Sequence, residues 1–196
     1  MGAFLFENYQ CVFIHLPKAG GATIRNGIFK SEYTGPRFST IPKEWDSLFT
    51  FTFVRNPYER IVSAWKMFTS GMESSNWSYN RNKDFKDISF YDFICIATDS
   101  SIDHTDRHDL KSILRHHTLP MSDNYHCAQY ADYIGRFENY ESDLKEILSY
   151  LSVDNYTITK HNVTSKGNYT KYYDQKCYNL VTKHYAKDLN LYNYKF

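Results

Sequence analysis

An apolar run that leads into a proline, a lysine and two glycines constrains this chain more than any other segment. The run Cys11–His15 has the length of a buried strand, and Leu16 and the turn sequence Pro17-Lys18-Ala19-Gly20-Gly21-Ala22-Thr23 follow it. A helix-like pattern then continues from Ala22 to about Phe29. Free amides and the positive dipole end at the start of a helix attract anions, and glycines let the backbone approach them closely. The segment therefore predicts a strand–turn–helix unit that binds an anion.

A second unit of the same kind begins at Phe49. The run Phe49–Val54 favours a strand, and Arg55 follows it directly. Asn56 and Pro57 suit the cap and the first position of a helix that we expect to extend to about residue 68. Ser63 lies inside that helix, eight residues after Arg55. A planar guanidinium next to a helix start predicts a second anion site, because it can donate two parallel hydrogen bonds to a phosphate.

The order of residues in the first turn indicates which anion it binds. A Walker A loop places its lysine after the glycines, whereas Lys18 precedes them. Pro-Lys-x-Gly-Gly-x-[Ser/Thr] resembles instead the 5′-phosphosulfate loop of sulfotransferases, which use 3′-phosphoadenosine 5′-phosphosulfate (PAPS). The pair Arg55 and Ser63 resembles the 3′-phosphate motif of the same family. The run Tyr133–Glu141 is similar to the "IGRFE-N-x-E" element that is common in carbohydrate-type and bacterial sulfotransferases, and His117-Thr118-Leu119-Pro120 resembles a further element of that group.

This resemblance implies a set of donor-binding residues and a role for one lysine. Lys18 would stabilise the charge that develops on the leaving oxygen, with adenosine 3′,5′-bisphosphate as the product. No metal is required, because cationic side chains and amides supply the positive field. The implied donor site consists of Pro17, Lys18, Ala19, Gly20, Gly21, Ala22 and Thr23 for the 5′ end, Arg55 and Ser63 for the 3′-phosphate, and the C-terminal loop Ser165, Lys166 and Gly167.

The sequence does not identify the general base that would accept the proton of the acceptor hydroxyl. Several relatives place a histidine shortly before the second strand, in a His-x-[Ser/Thr]-Ala-like stretch. The matching stretch here is Arg37-Phe38-Ser39-Thr40, so an arginine stands at that position. His15, at the strand end beside Lys18, is the first substitute, and His117 is the second. Glu44 or another carboxylate is a further alternative.

The alternation of strands and helices predicts an α/β fold in a single sulfotransferase domain over residues 1–196. A central parallel sheet flanked by helices in three layers resembles the P-loop-like sulfotransferase fold. Ligands of such sheets bind beyond the carboxyl ends of the strands, where both anion motifs begin. The remaining predicted elements are a short helix near Lys43, helices at Phe90–Ala97 and Asp106–His116, a strand at Tyr133–Phe137 with an amphipathic helix after it, and a helical segment from Lys171 onward.

Composition excludes several other classes of protein. A net charge of +1 argues against a broad nucleic-acid-binding surface. The absence of any run of about 20 apolar residues predicts no membrane span, and with no secretory signal we expect a cytoplasmic protein. The four cysteines are scattered without a C-x-x-C pair, so the sequence predicts no structural zinc.

The sequence is compatible with three functions. The leading hypothesis is a PAPS-dependent sulfotransferase that acts on a hydroxyl acceptor, and a sugar or glycan is the expected acceptor. A kinase of the P-loop type is the alternative among enzymes, and the position of Lys18 before the glycines argues against it. A non-catalytic protein that binds PAPS or its product is the third, and Arg37 in place of a histidine is its support. The sequence does not indicate the oligomeric state.

Overall fold

A mixed sheet of five strands organises the first of two compact units. The computed structural model describes residues 2–30, 33–37, 39–69, 85–106, 108–154, 156, 158 and 168–196. One unit is drawn from Met1–Arg55 and Met121–Val163, and the other from Asn56–Pro120 and Thr164–Phe196. The strands are β1 (Ala3–Phe6), β2 (Cys11–Ile14), β3 (Thr34–Arg37), β4 (Phe49–Val54) and β5 (Tyr133–Arg136).

The strand order is β3-β1-β2-β4-β5. Strands β2, β4 and β5 run parallel, as predicted, whereas β1 is antiparallel to both β2 and β3. The expectation of a purely parallel sheet is thus corrected to a mixed one, because two strands were not predicted. Strand β1 is only four residues long, and β3 contains Gly35 and Pro36, which are depleted in strands and tolerated at a sheet edge.

The parallel strands bring the two anion motifs to the same edge of the sheet. Ile14 at the end of β2 pairs with Thr52, two residues before β4 ends. The Thr52 hydroxyl, fully buried, donates a hydrogen bond to the carbonyl oxygen of Ile14 at 2.7 Å. Lys18 and Arg55 follow these strands, so the carboxyl edge of the sheet carries both cations, as expected for a ligand site.

The helices agree with the predicted positions more closely than with the predicted types. A π-helix at Thr23–Ile28 replaces the expected α-helix after the glycine turn. A 3-10 turn at Lys43–Trp45 accounts for the short helix predicted there. The α-helices are α1 (Pro57–Thr69), α2 (Phe90–Thr98), α3 (Leu110–Thr118), α4 (Tyr140–Tyr150), α5 (Gln175–His184) and α6 (Ala186–Leu191).

Each unit has its own apolar core. In the first unit, α4 packs on β5 and buries Leu144, Ile147 and Leu148, the stripe expected of an amphipathic helix. In the second, α1, α2, α3 and α5 bury aromatic and branched side chains such as Phe93 and Val181. The three-layer arrangement and the single domain over residues 1–196 remain predictions.

Candidate active site

The glycine turn after β2 has the conformation that its sequence requires. Lys18 has a φ of +66° and Gly20 a φ of +90°, both in the left-handed region that side chains with a Cβ adopt reluctantly. The amide of Thr23 donates a hydrogen bond to the carbonyl oxygen of Gly20 at 3.2 Å, which closes the turn. A non-glycine residue at a positive φ is a recurrent feature of binding sites, because the surrounding contacts must hold it there.

His15 fills the space that a side chain at Gly21 would occupy. A Cβ atom at Gly21 would lie 2.0 Å from Cδ2 of His15 and 2.3 Å from its Nε2. The imidazole is 8 % exposed and stacks on Phe13, with the ring centroids 5.7 Å apart. His15 is therefore packed directly against the turn that carries Lys18.

Tyr140, the first residue of α4, supports the other glycine of the turn. Its hydroxyl donates to the carbonyl oxygen of Gly20 at 2.8 Å. A Cβ at Gly20 would lie 2.5 Å from Cε2 of this ring, which also packs on Phe53 at a centroid distance of 4.7 Å. Burial raises the pKa of Tyr140, so the hydroxyl keeps its proton.

Arg55 connects the second anion motif to the first. Its Nη1 donates to the carbonyl oxygen of Lys18 at 3.1 Å, and its guanidinium lies 4.1 Å above the ring centre of Phe137. The side chain is 6 % exposed, so these contacts leave it little freedom. Arg55, the first residue of the second predicted motif, thus contacts the turn of the first motif, and Phe137 supports its guanidinium.

Lys18 lies in an electropositive and partly desolvated environment. Burial and the nearby charge of Arg55 together lower the pKa of Lys18 from its ordinary value of 10.5 to about 8. Two cations held this close disfavour one another, and an anion bound between or beside them relieves the repulsion. The geometry and the charge therefore suit a phosphate or sulfate group.

Ser63 belongs to the second compact unit. It lies on α1, is 5 % exposed, and follows a helix start at which the Asn56 side chain accepts from the amide of Tyr58 at 3.0 Å, as the predicted cap requires. Lys66, one turn further along α1, lies 5.1 Å from the ring centre of Tyr172. The same ring has Lys171 at 5.1 Å. Lys66 places a positive charge one turn from Ser63 on α1.

The candidate bases have different surroundings. His15 packs against the glycine turn. His117 is on α3 in the second unit, where its Nδ1 donates to the carbonyl oxygen of Ile113 at 2.7 Å and its ring packs edge-on against Phe68. Glu44 is exposed on the 3-10 turn after β3. These roles remain predictions.

Three further predictions concern the C-terminal loop, metal binding and membrane spans. Ser165, Lys166 and Gly167 lie outside the described residues. Within the described ranges, no group of three or more His, Cys, Asp or Glu side chains is arranged to hold a metal ion. In that same part of the chain, none of the helices has the length and apolar character needed to cross a bilayer.

Sequence reasoning missed the supporting roles of Tyr140 and Phe137. Both belong to the Tyr133–Glu141 segment that resembled a family element, but the spacing of that segment does not indicate what its side chains contact. Tyr140 and Gly20 are 120 residues apart in sequence. A glycine pair signals that something lies close to the backbone, yet it does not identify the partner.

Comparison with models of protein families assigns the chain to one family. The model of the sulfotransferase family matches residues 2–195, and the chain belongs to that family. Comparisons with curated proteins and with solved structures found no match. Family membership supports sulfuryl transfer as the general activity.

Proposed function

We propose that the protein transfers the sulfuryl group of PAPS to a hydroxyl of a carbohydrate acceptor. The observation that supports this most is the contact of Arg55 with the carbonyl oxygen of Lys18 at the glycine turn. A donor with a phosphosulfate at one end and a phosphate at the other needs two neighbouring anion sites, and this contact joins the two candidates.

The described residues fit such a donor. The amides of Gly20, Gly21 and Ala22 are the candidate ligands of the 5′-phosphate, and the Thr23 hydroxyl adds a further donor. Arg55, which contacts the Phe137 ring and the Lys18 carbonyl oxygen, is the proposed partner of the 3′-phosphate, because a guanidinium can donate parallel hydrogen bonds to phosphate oxygens. Ser63 and the loop Ser165–Gly167 remain in this proposal on the basis of the family resemblance.

The proposed chemistry assigns one role to Lys18 and another to a base. PAPS supplies an activated sulfuryl group whose sulfur–oxygen bond to the 5′-phosphate breaks as the acceptor oxygen attacks. Lys18 stabilises the negative charge on the leaving phosphate oxygen, which requires its ammonium form. His15 is the proposed base for the acceptor proton, because its imidazole lies against the turn that carries Lys18. A sugar hydroxyl is proposed as the acceptor because the family resemblance is to carbohydrate-type and bacterial enzymes.

Calorimetric titration with adenosine 3′,5′-bisphosphate tests the donor site, with ATP and 5′-AMP as comparison ligands. We expect selective binding of the bisphosphate that is strongly weakened in Arg55→Ala. A preference for ATP would favour the kinase alternative and overturn the assignment of both motifs.

Transfer of labelled sulfate from PAPS across a panel of sugar acceptors tests the reaction. Lys18→Ala should reduce turnover by about a hundredfold or more while affecting bisphosphate binding less, because charge on the leaving oxygen develops mainly in the transition state. Tight binding of the bisphosphate without transfer to any acceptor would favour the non-catalytic alternative. Full turnover in Lys18→Ala would contradict the proposed mechanism.

A further inference from the structure

The plane of the Gly20–Gly21 peptide bond has two possible orientations at the proposed anion site. Only one of them directs the Gly21 N–H, and not the Gly20 carbonyl oxygen, toward a bound phosphate. A trans peptide is planar, so the carbonyl of Gly20 and the amide N–H of Gly21 point in opposite directions. Rotation of this plane costs little between two glycines, since neither has a Cβ. The rotated form would direct a carbonyl oxygen, which carries partial negative charge, toward a bound phosphate.

Two hydrogen bonds hold this plane in one orientation. The Tyr140 hydroxyl and the Thr23 amide both donate to the Gly20 carbonyl oxygen, at 2.8 and 3.2 Å. The Thr23 amide belongs to the turn itself, so Tyr140 is the contribution from another element. Its ring is fixed between Phe53 and Phe137, with centroid distances of 4.7 and 5.7 Å.

We propose that Tyr140 is a positioning residue for the 5′-phosphosulfate end of the donor, acting through the orientation of the Gly20–Gly21 peptide. Its hydrogen bond directs the Gly20 carbonyl toward α4 and leaves the Gly21 amide facing the opposite way. This inference rests on the proposed function and assigns a role to a segment that resemblance alone left without one. Phe137, which supports both Tyr140 and Arg55, extends the same support to the second anion motif.

The test compares Tyr140→Phe with Tyr133→Phe by calorimetry. Both variants lose one tyrosine hydroxyl in the same unit, and the Tyr133 hydroxyl donates to Glu146 at 2.8 Å. Each protein is titrated with adenosine 3′,5′-bisphosphate and with adenosine 3′-monophosphate, which lacks the 5′-phosphate. We expect Tyr140→Phe to raise the Kd for the bisphosphate by about five- to tenfold, the size of one hydrogen bond, and to leave the Kd for the monophosphate unchanged. Tyr133→Phe should change neither.

The outcomes separate the inference from the function beneath it. An unchanged Kd for the bisphosphate in Tyr140→Phe, or an equal loss for both ligands, would overturn the positioning role. Failure of the wild-type protein to bind the bisphosphate would overturn the proposed function itself. A measurement on the wild type needs no variant: the NMR signal of the Gly21 amide should shift on addition of the bisphosphate and not of the 3′-monophosphate. A Gly21 signal that responds to neither would count against the role.

Discussion

Arg55 donates a hydrogen bond from its guanidinium to the main-chain carbonyl oxygen of Lys18, so the residue after β4 holds the turn after β2. The contact is 3.1 Å long, and the guanidinium also lies against the ring of Phe137. Arg55 thus supports the turn, and in the proposed donor site it also supplies a positive charge. These two contributions respond differently to substitution.

Replacing Arg55 by lysine separates charge from geometry. Lysine keeps the positive charge but lacks the planar fork, so one ammonium cannot reproduce both the bond to the Lys18 carbonyl and a two-point contact with phosphate. We expect Arg55→Lys to raise the Kd for adenosine 3′,5′-bisphosphate by about ten- to a hundredfold, measured by calorimetry. Lys145→Ala, which removes an exposed charge on α4, is the control and should bind normally. Wild-type affinity in Arg55→Lys would show that charge alone is sufficient.

The lowered pKa of Lys18 predicts a pH dependence of nucleotide binding. In the ligand-free protein Lys18 is protonated below about pH 8 and neutral above it, because burial and Arg55 disfavour its charge. A bound anion favours the ammonium form and raises the pKa, so binding at pH 8.5 should take up a proton. Affinity should be greatest below about pH 8 and fall by up to tenfold per pH unit above it. Calorimetry at pH 8.5 in buffers of different ionisation enthalpy measures this uptake.

Lys18→Arg is the matched variant for that experiment. The guanidinium stays charged over the whole range, so both the proton uptake and the decline in affinity between pH 7 and 9.5 should disappear. Persistence of the decline in Lys18→Arg would assign it to another group.

The contact of His15 with Gly21 predicts strong coupling between the two positions. A methyl group at Gly21 would overlap the imidazole, so Gly21→Ala should lower the free energy of unfolding by about 1–3 kcal/mol. In a His15→Ala background the same change should cost much less, because the added methyl group enters the space that the ring has left. Urea unfolding of the wild type, both single variants and the double variant measures the coupling. Additive effects would mean that the two residues do not contact one another.

Arg60 provides a contrast to Arg55 within the same motif sequence. It is 2 % exposed and donates to the carbonyl oxygens of Thr118 and Leu119 at the end of α3, where helix carbonyls lack main-chain partners. Arg60→Met removes a donor from the buried Leu119 carbonyl oxygen, while the Thr118 carbonyl oxygen keeps its hydrogen bond from the Tyr185 hydroxyl. The free energy of unfolding should therefore fall by about 1–3 kcal/mol. Bisphosphate affinity should stay unchanged at temperatures where the variant is folded. A selective loss of binding with wild-type stability would instead make Arg60 a ligand-binding residue.

Local sequence signals predicted most of the regular structure. Strand β4 has the predicted bounds, and α1 begins at Pro57 after the predicted Asn56 cap. Helix α3 begins at Leu110, four residues later than the Asp106 expected, because Asp109 caps it by accepting from the Ser112 amide. Strand β3 was missed because its pairing with β1 comes from distant residues and outweighs the low strand propensity of Gly35 and Pro36.

The sequence by itself determined where the two candidate anion motifs lie, since a glycine turn, a lysine and a helix start are local properties of the chain. It also predicted the family, which the match over residues 2–195 confirms. Only the tertiary structure decided which side chains fix those motifs: Tyr140 on Gly20, His15 against Gly21, and Arg55 on the carbonyl of Lys18. Such contacts depend on how distant segments pack, and a side chain 120 residues away leaves no trace in the local pattern that it supports.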